Sequence, residues 1–231
     1  MNSATQLPPP PRLARLPRDK HGRLVPWFVG SVNGEPDHRL VRPGGITDAV
    51  RCKLCLLCGQ TLGSYQTFVV GPMCVINRVS AEPPSHKDCA EYAARACPFL
   101  THPHMRRREN LPDDTVPPDG EMNPRNPGAC VTWTTRKWLK KPGMQLFTFD
   151  EPTWVAWWRE GRPATYAEAV DALVSGHDFL AEEAAKDPRP LRAAASLHEQ
   201  YWKATEYLPG NFTAADGTRN FAPGGMVRGP R

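Results

Sequence analysis

The sequence predicts an α+β fold in which β-hairpins surround a treble-clef-like zinc site and a pair of helices closes the chain. Three observations predict it. Cysteines and a histidine recur in pairs at metal-ligand spacing, turn signals separate runs of β-forming residues, and helical periodicity behind a capping box is concentrated in the final third. The expected division is a disordered, basic, proline-rich arm (1–22), a zinc-containing α+β domain (23–150), a helical subdomain packed on it (151–208) and a disordered tail (209–231).

Composition narrows the classes. Of 231 residues, 40% are hydrophobic and 23% charged, the balance of a soluble globular chain. The 26 prolines are about twice the usual share, so loops should be extensive. No run reaches the roughly 18–20 apolar residues that a membrane-spanning helix needs. The first residues lack the apolar segment of a secretion signal, so a cytoplasmic location and no membrane partner are expected. Seven cysteines, three of them crowded at Cys52, Cys55 and Cys58, suit a metal site better than a disulfide scaffold. A net charge of +5 is compatible with a polyanionic partner without requiring one.

The elements follow in order. Pro8 to Pro11 favour an extended left-handed helix, and Arg12, Arg15, Arg18 and Lys20 make the arm basic. Residues 24–32 and 38–41 are rich in β-formers and flank Asn33-Gly34, a hairpin turn signal. Thr47 is placed to cap a short helix leading into the cysteine cluster. Residues 65–70 and 73–79, around Gly71-Pro72, read as a second hairpin. Ser85 is placed to cap a helix whose stripe is Cys89, Tyr92, Ala93, Ala96 and Cys97, ended by Pro98. Residues 101–128 form a charged, proline-rich loop. Residues 131–139 and 144–149 read as a third hairpin around Lys141-Pro142-Gly143. Trp154, Trp157 and Trp158 read as a short helix. Thr165-x-x-Glu168 is a capping box, with Val170, Leu173, Val174, His177 and Leu180 on one face behind it. After Pro188 and Pro190, residues Leu191, Ala194, Ala195, His198, Tyr201 and Trp202 share a face of the second helix.

The strongest chemical signal is Cys55-x-x-Cys58-Gly59 followed by His86-x-x-Cys89. Two residues between ligands let a tight turn aim both thiolates at one ion. In the first turn of a helix, positions i and i+3 share a face. A knuckle, a hairpin and then a ligating helix make a treble clef. Three sulfurs and one imidazole make a closed tetrahedral set, which suits zinc in a structural role. Cys52 and Cys55 have the same spacing as Cys55 and Cys58, so spacing alone does not choose between the pairs; Gly59 favours the second. Cys74 and Cys97 read as core residues. A second site from Cys97, His102, His104 and Cys130 is conceivable only from a loose loop.

Val25-Pro26-Trp27-Phe28, Leu57-Cys58-Gly59, Gly71-Pro72-Met73-Cys74, Ser85-His86-x-x-Cys89-Ala90, Ala96-Cys97-Pro98-Phe99 and Glu160 to Thr165 together resemble a group of actinobacterial and phage zinc-binding proteins. The resemblance spans about residues 20–180. It implies a phage or prophage origin and brings no established activity.

Three functions are compatible with these residues. The first is a non-enzymatic accessory protein that binds DNA or RNA through Arg106, Arg107, Arg108, Arg136, Lys137, Lys140 and Lys141, with Trp133 and Trp138 able to stack on bases. The second is a protein-interaction module, an inhibitor or adaptor of a host or phage protein anchored by Trp154, Trp157 and Trp158. The third is a metal-dependent nuclease. It would need a catalytic histidine, and residues 59–85 contain none, so His38 is its only candidate. No catalytic residue is assigned.

Overall fold

The computed structural model describes residues 7–102, 126, 128–214 and 217–220. The chain enters at α1 (Pro11–Ala14), one helical turn whose proline at the first position needs no N–H partner. The basic arm is therefore ordered in its second half, against expectation. Leu13 is 3% exposed and lies in a small cluster with Cys55, Cys58 and Cys89. Most of its cations have partners within the chain: Arg12 pairs with Asp88 at 3.0 Å, Arg18 donates to the Gly22 carbonyl at 2.6 Å, and Lys20 lies 3.9 Å from the Glu35 carboxylate.

The first hairpin forms as expected, from β1 (Val29–Val32) and β2 (Glu35–Val41). Its turn residues Asn33 and Gly34 have φ of 51° and 81°, the left-handed pair that a two-residue hairpin requires. Next comes α2 (Gly45–Arg51), but Gly44 rather than Thr47 is its N-cap; Thr47 is exposed inside the helix.

The second expected hairpin does not form. β3 (Gln66–Val70) is a strand, but the segment after Gly71 is the helix α3 (Pro72–Asn77). Proline at the first helical position and Arg78 in the left-handed conformation at its end delimit α3, and Val75 and Ile76 are buried from it. The two-residue strand β4 (Val79–Ser80) then leads to α4 (Lys87–Ala96) and the single turn α5 (Pro98–Thr101). His86, not Ser85, is the N-cap of α4. Ser85 is buried and exchanges backbone hydrogen bonds with Thr67. Of the expected stripe on α4 only Cys89 is fully buried, joined by Ala90 and Ala94, while Tyr92, Ala93, Ala96 and Cys97 are half-buried.

β5 (Cys130–Thr135) is buried along its whole length. Strands β6 (Trp138–Lys140) and β7 (Phe147–Phe149) form the expected hairpin around Lys141-Pro142-Gly143, but β5 belongs to a different sheet. β8 (Trp154–Arg159) carries the three clustered tryptophans, so these lie on a strand and not a helix. With β9 (Arg162–Pro163) it completes a sheet in the order β3-β5-β8-β9, and the second sheet runs β4-β7-β6. The expected boundary at residue 151 thus precedes a strand of the central sheet.

The capping box at Thr165 and Glu168 opens α6 (Tyr166–Ala184), and α7 (Pro190–Thr205) completes the helical pair. Both pack on α3, and Gly176 is where α6 comes closest: a Cβ there would lie 2.7 Å from the Met73 nitrogen. α7 buries Leu197 and Ala204, whereas Leu191 and Trp202 are 88% and 59% exposed, so much of its expected inner face points outward. The described part of the tail packs as well: Ala214, Thr218 and Asn220 are buried, and the Asn220 side-chain amide donates to the Tyr207 carbonyl. One large core joins both sheets to the helical pair through Phe68, Trp133, Phe147, Phe149, Trp157 and Leu173.

Candidate metal centre

Four segments of the chain meet at the cysteines. The turn between Leu54 and Thr61 is closed by a Cys55 N–H donating to the Gln60 carbonyl at 2.7 Å and a Gly59 N–H donating to the Cys55 carbonyl at 2.9 Å. Gly59 has φ of 70°, and any Cβ on it would fall 2.6 Å from the Trp27 ring. Only glycine fits there, on both counts. The start of α4 brings His86 and Cys89 from the other side, and α1 lies across the top.

The ligand atoms of Cys55, Cys58, His86 and Cys89 all lie within 4.8 Å of one another, so these four side chains can hold a metal ion. The three cysteines are buried, at 0%, 3% and 0% exposure. His86 turns Nδ1 toward Cys58 Sγ, 3.4 Å away, while Nε2–H donates to the Thr61 carbonyl at 3.0 Å. That second contact fixes the tautomer and leaves Nδ1 free to ligate, the usual outer-sphere arrangement of a metal-bound imidazole. Backbone N–H groups of Cys58 and His86 each point at Cys55 Sγ at 3.4 Å and stabilise negative charge on it.

The electrostatics make the same case. Hydrogen bonds from Cys58 and Cys89 hold the Cys55 thiol far below its usual range. The same contacts with Cys55 push Cys58 and Cys89 up. Three sulfurs this close cannot all ionise unless a cation replaces their protons. The donor set fits a divalent ion.

Cys52, left open by spacing, is exposed at the end of α2 and outside the cluster. Cys130 is buried away from it, and desolvation raises its thiol. His104 lies outside the described residues, and among these no second group of metal-ligating side chains occurs. His38, the nuclease candidate, sits on β2 with Nε2 3.2 Å from the Asp19 carboxylate, outside the metal cluster. Sequence reasoning missed Leu13, the apolar cover, because one leucine among arginines and prolines has no periodicity.

Of the residues expected to touch nucleic acid, Arg106, Arg107 and Arg108 lie outside the described residues. Arg136, Lys137 and Lys140 are exposed in and beside β6, and Lys141 is half-buried at the hairpin turn. The tryptophans between them point inward. Trp133 is fully buried and Trp138 packs edge-on against Phe68 and Phe147, so neither is free to stack on a base. The aromatic ring exposed beside these cations is Tyr65, with the Arg136 guanidinium 5.5 Å from its centre. Trp154 and Trp158 are half-buried beneath Lys87 and Arg95, and Trp157 is core, so the tryptophan cluster forms no exposed anchor. No helix among the described residues is long and apolar enough to cross a membrane. Comparison with family models, curated proteins and solved structures finds no match to this chain.

Proposed function

We propose that the chain is a non-enzymatic, zinc-stabilised nucleic-acid-binding accessory protein of phage or prophage origin. The observation that carries the metal reading is closure. Three buried thiols and one oriented imidazole supply four donors, the number that fills a structural zinc site, and Leu13 packs in the same buried cluster. A knuckle and the first turn of a helix are the ligand-bearing parts of a treble clef; here a strand, α3 and a short strand join them in place of a hairpin. The origin rests on the motif resemblance alone.

Nucleic-acid binding is supported by the exposed row Arg136, Lys137 and Lys140 on a rigid hairpin, which suits a phosphate backbone. The test pairs metal analysis of the purified protein with a titration against labelled oligonucleotides. The reading requires about one zinc per chain and an affinity that falls steeply with salt. A stably folded, metal-free protein, or no binding at low salt, overturns the corresponding half.

A second reading, a protein-interaction module, draws on α7. Leu191 and Trp202 face solvent there, and the Trp202 indole N–H is satisfied by His198 within the helix at 3.0 Å. Its test is cross-linking at position 202 in the native host, with a Trp202→Ala control.

A further inference from the structure

We infer that the cationic edge where the central sheet meets β6 is a platform for an unpaired nucleic-acid strand, with Tyr65 stacking on a base and Arg136, Lys137 and Lys140 following the phosphates. The inference rests on the nucleic-acid reading above and specifies its ligand.

Register brings the parts together. Gln66 and Thr135 are the last paired residues of β3 and β5, so Tyr65 and Arg136 continue the two strands side by side at one end of the sheet. Tyr65 is 57% exposed, unusual for a ring that could have turned toward the nearby core. The Arg136 guanidinium lies over the ring, 5.5 Å from its centre. Such a pair offers an aromatic plane and a cation together.

The platform is held rigid from beneath. The Thr135 hydroxyl accepts from the Lys137 N–H at 3.3 Å, and the Lys137 carbonyl accepts from the Asp150 N–H at 3.1 Å, which pins the turn carrying both cations. The Gln66 side-chain oxygen accepts from the Trp138 indole, and its amide donates to the Gly63 carbonyl at 3.1 Å, which fixes the approach to Tyr65. Of the nearby carboxylates, Glu151 is engaged by Lys203 and Tyr207, which leaves the exposed Asp150 beside Lys137 against three cations.

Charge alone would serve a duplex as well as a single strand. The exposed ring decides between them: paired bases bury their faces in the stack, whereas an unpaired strand presents them to an aromatic plane. Three cations also set the expected salt response, a slope of log affinity against log salt of about −2 on a single strand.

The experiment measures fluorescence anisotropy of the full-length protein with dT20, rU20 and a 20-base-pair duplex, for the native chain and for Tyr65→Ala, Tyr65→Phe and Arg136→Ala. Zinc content and thermal unfolding verify that each variant is folded. Tyr65→Ala is expected to weaken single-strand binding roughly 5- to 100-fold and leave duplex binding unchanged, with Tyr65→Phe restoring it. Arg136→Ala is expected to reduce the salt slope by about 0.7. The dT20 and rU20 arms separate DNA from RNA as the source of the strand. Equal binding to strand and duplex, with Tyr65→Ala silent, overturns this inference and leaves the nucleic-acid reading standing. Binding to none of the three overturns both.

Discussion

The metal corner and the aromatic core both exclude water, but by different means. The core sets Phe68 against Phe149 with ring centres 4.9 Å apart, Trp133 against Tyr207 at 4.7 Å, and draws on both sheets and four helices. The corner has Leu13, Leu24 and three cysteines as its buried residues. Burying two leucines contributes roughly 3–6 kcal/mol, whereas zinc on such ligands contributes about 10–16 kcal/mol in peptide systems. On the proposed zinc reading, coordination dominates at one end and apolar area at the other. The stability of this protein should be divisible along that line.

The most severe test is metal removal. Stripping zinc with a chelator, or Cys89→Ser, should abolish hydrogen-exchange protection in residues 10–24 and 54–61 while β5 and β8 keep theirs. Simultaneous loss in both places would break the comparison. Trp133→Ala attacks the other side. A cost of about 3–5 kcal/mol in denaturant unfolding is expected, with zinc stoichiometry unchanged. Leu13→Ala should cost about 2–3 kcal/mol, toward the low end for a buried leucine because α1 is a single turn. Its clearest readout is faster zinc transfer to a colorimetric chelator, and an unchanged rate would mean that α1 is no cover at all.

The smallest effect belongs to the α6 cap. The Arg162 guanidinium and the Thr165 backbone and hydroxyl hold the Glu168 carboxyl down to about 2. A carboxyl depressed on folding adds stability that is present above its unfolded value near 4.5 and is lost as pH falls toward about 2. Thr165→Ala should cost about 1 kcal/mol at neutral pH and blunt that acid response. Acid titration of unfolding, native against variant, measures it.

What could be read from the sequence was local. The knuckle spacing, the Asn33-Gly34 turn and the Thr165 capping box each depend on residues a few positions apart, and each appears in the structure. Features set by distant partners could not be read. Trp154, Trp157 and Trp158 stand at helical spacing, yet pairing with Cys130 to Thr134 makes them a strand. Residues 73–79 are rich in β-formers, but Gly71-Pro72 is equally a helix start, and burial of Val75 and Ile76 decides for α3. α7 is apolar around a wide arc, and only the position of α3 and α6 selects Leu197 and Ala204 as its inner side. Tyr65 attracted no notice because nothing in its neighbours' order predicts that Arg136 will end beside it.

The contact between Arg12 and Asp88 spans 76 residues. At translation speeds of about 5–20 residues per second, the first helical turn leaves the ribosome roughly 4–15 s before its seat has been synthesised. During that interval Cys55 and Cys58 have no third or fourth ligand. On the proposed zinc reading, an ion can be held by all four ligands only once Cys89 has been made, and zinc supply during synthesis is expected to affect yield.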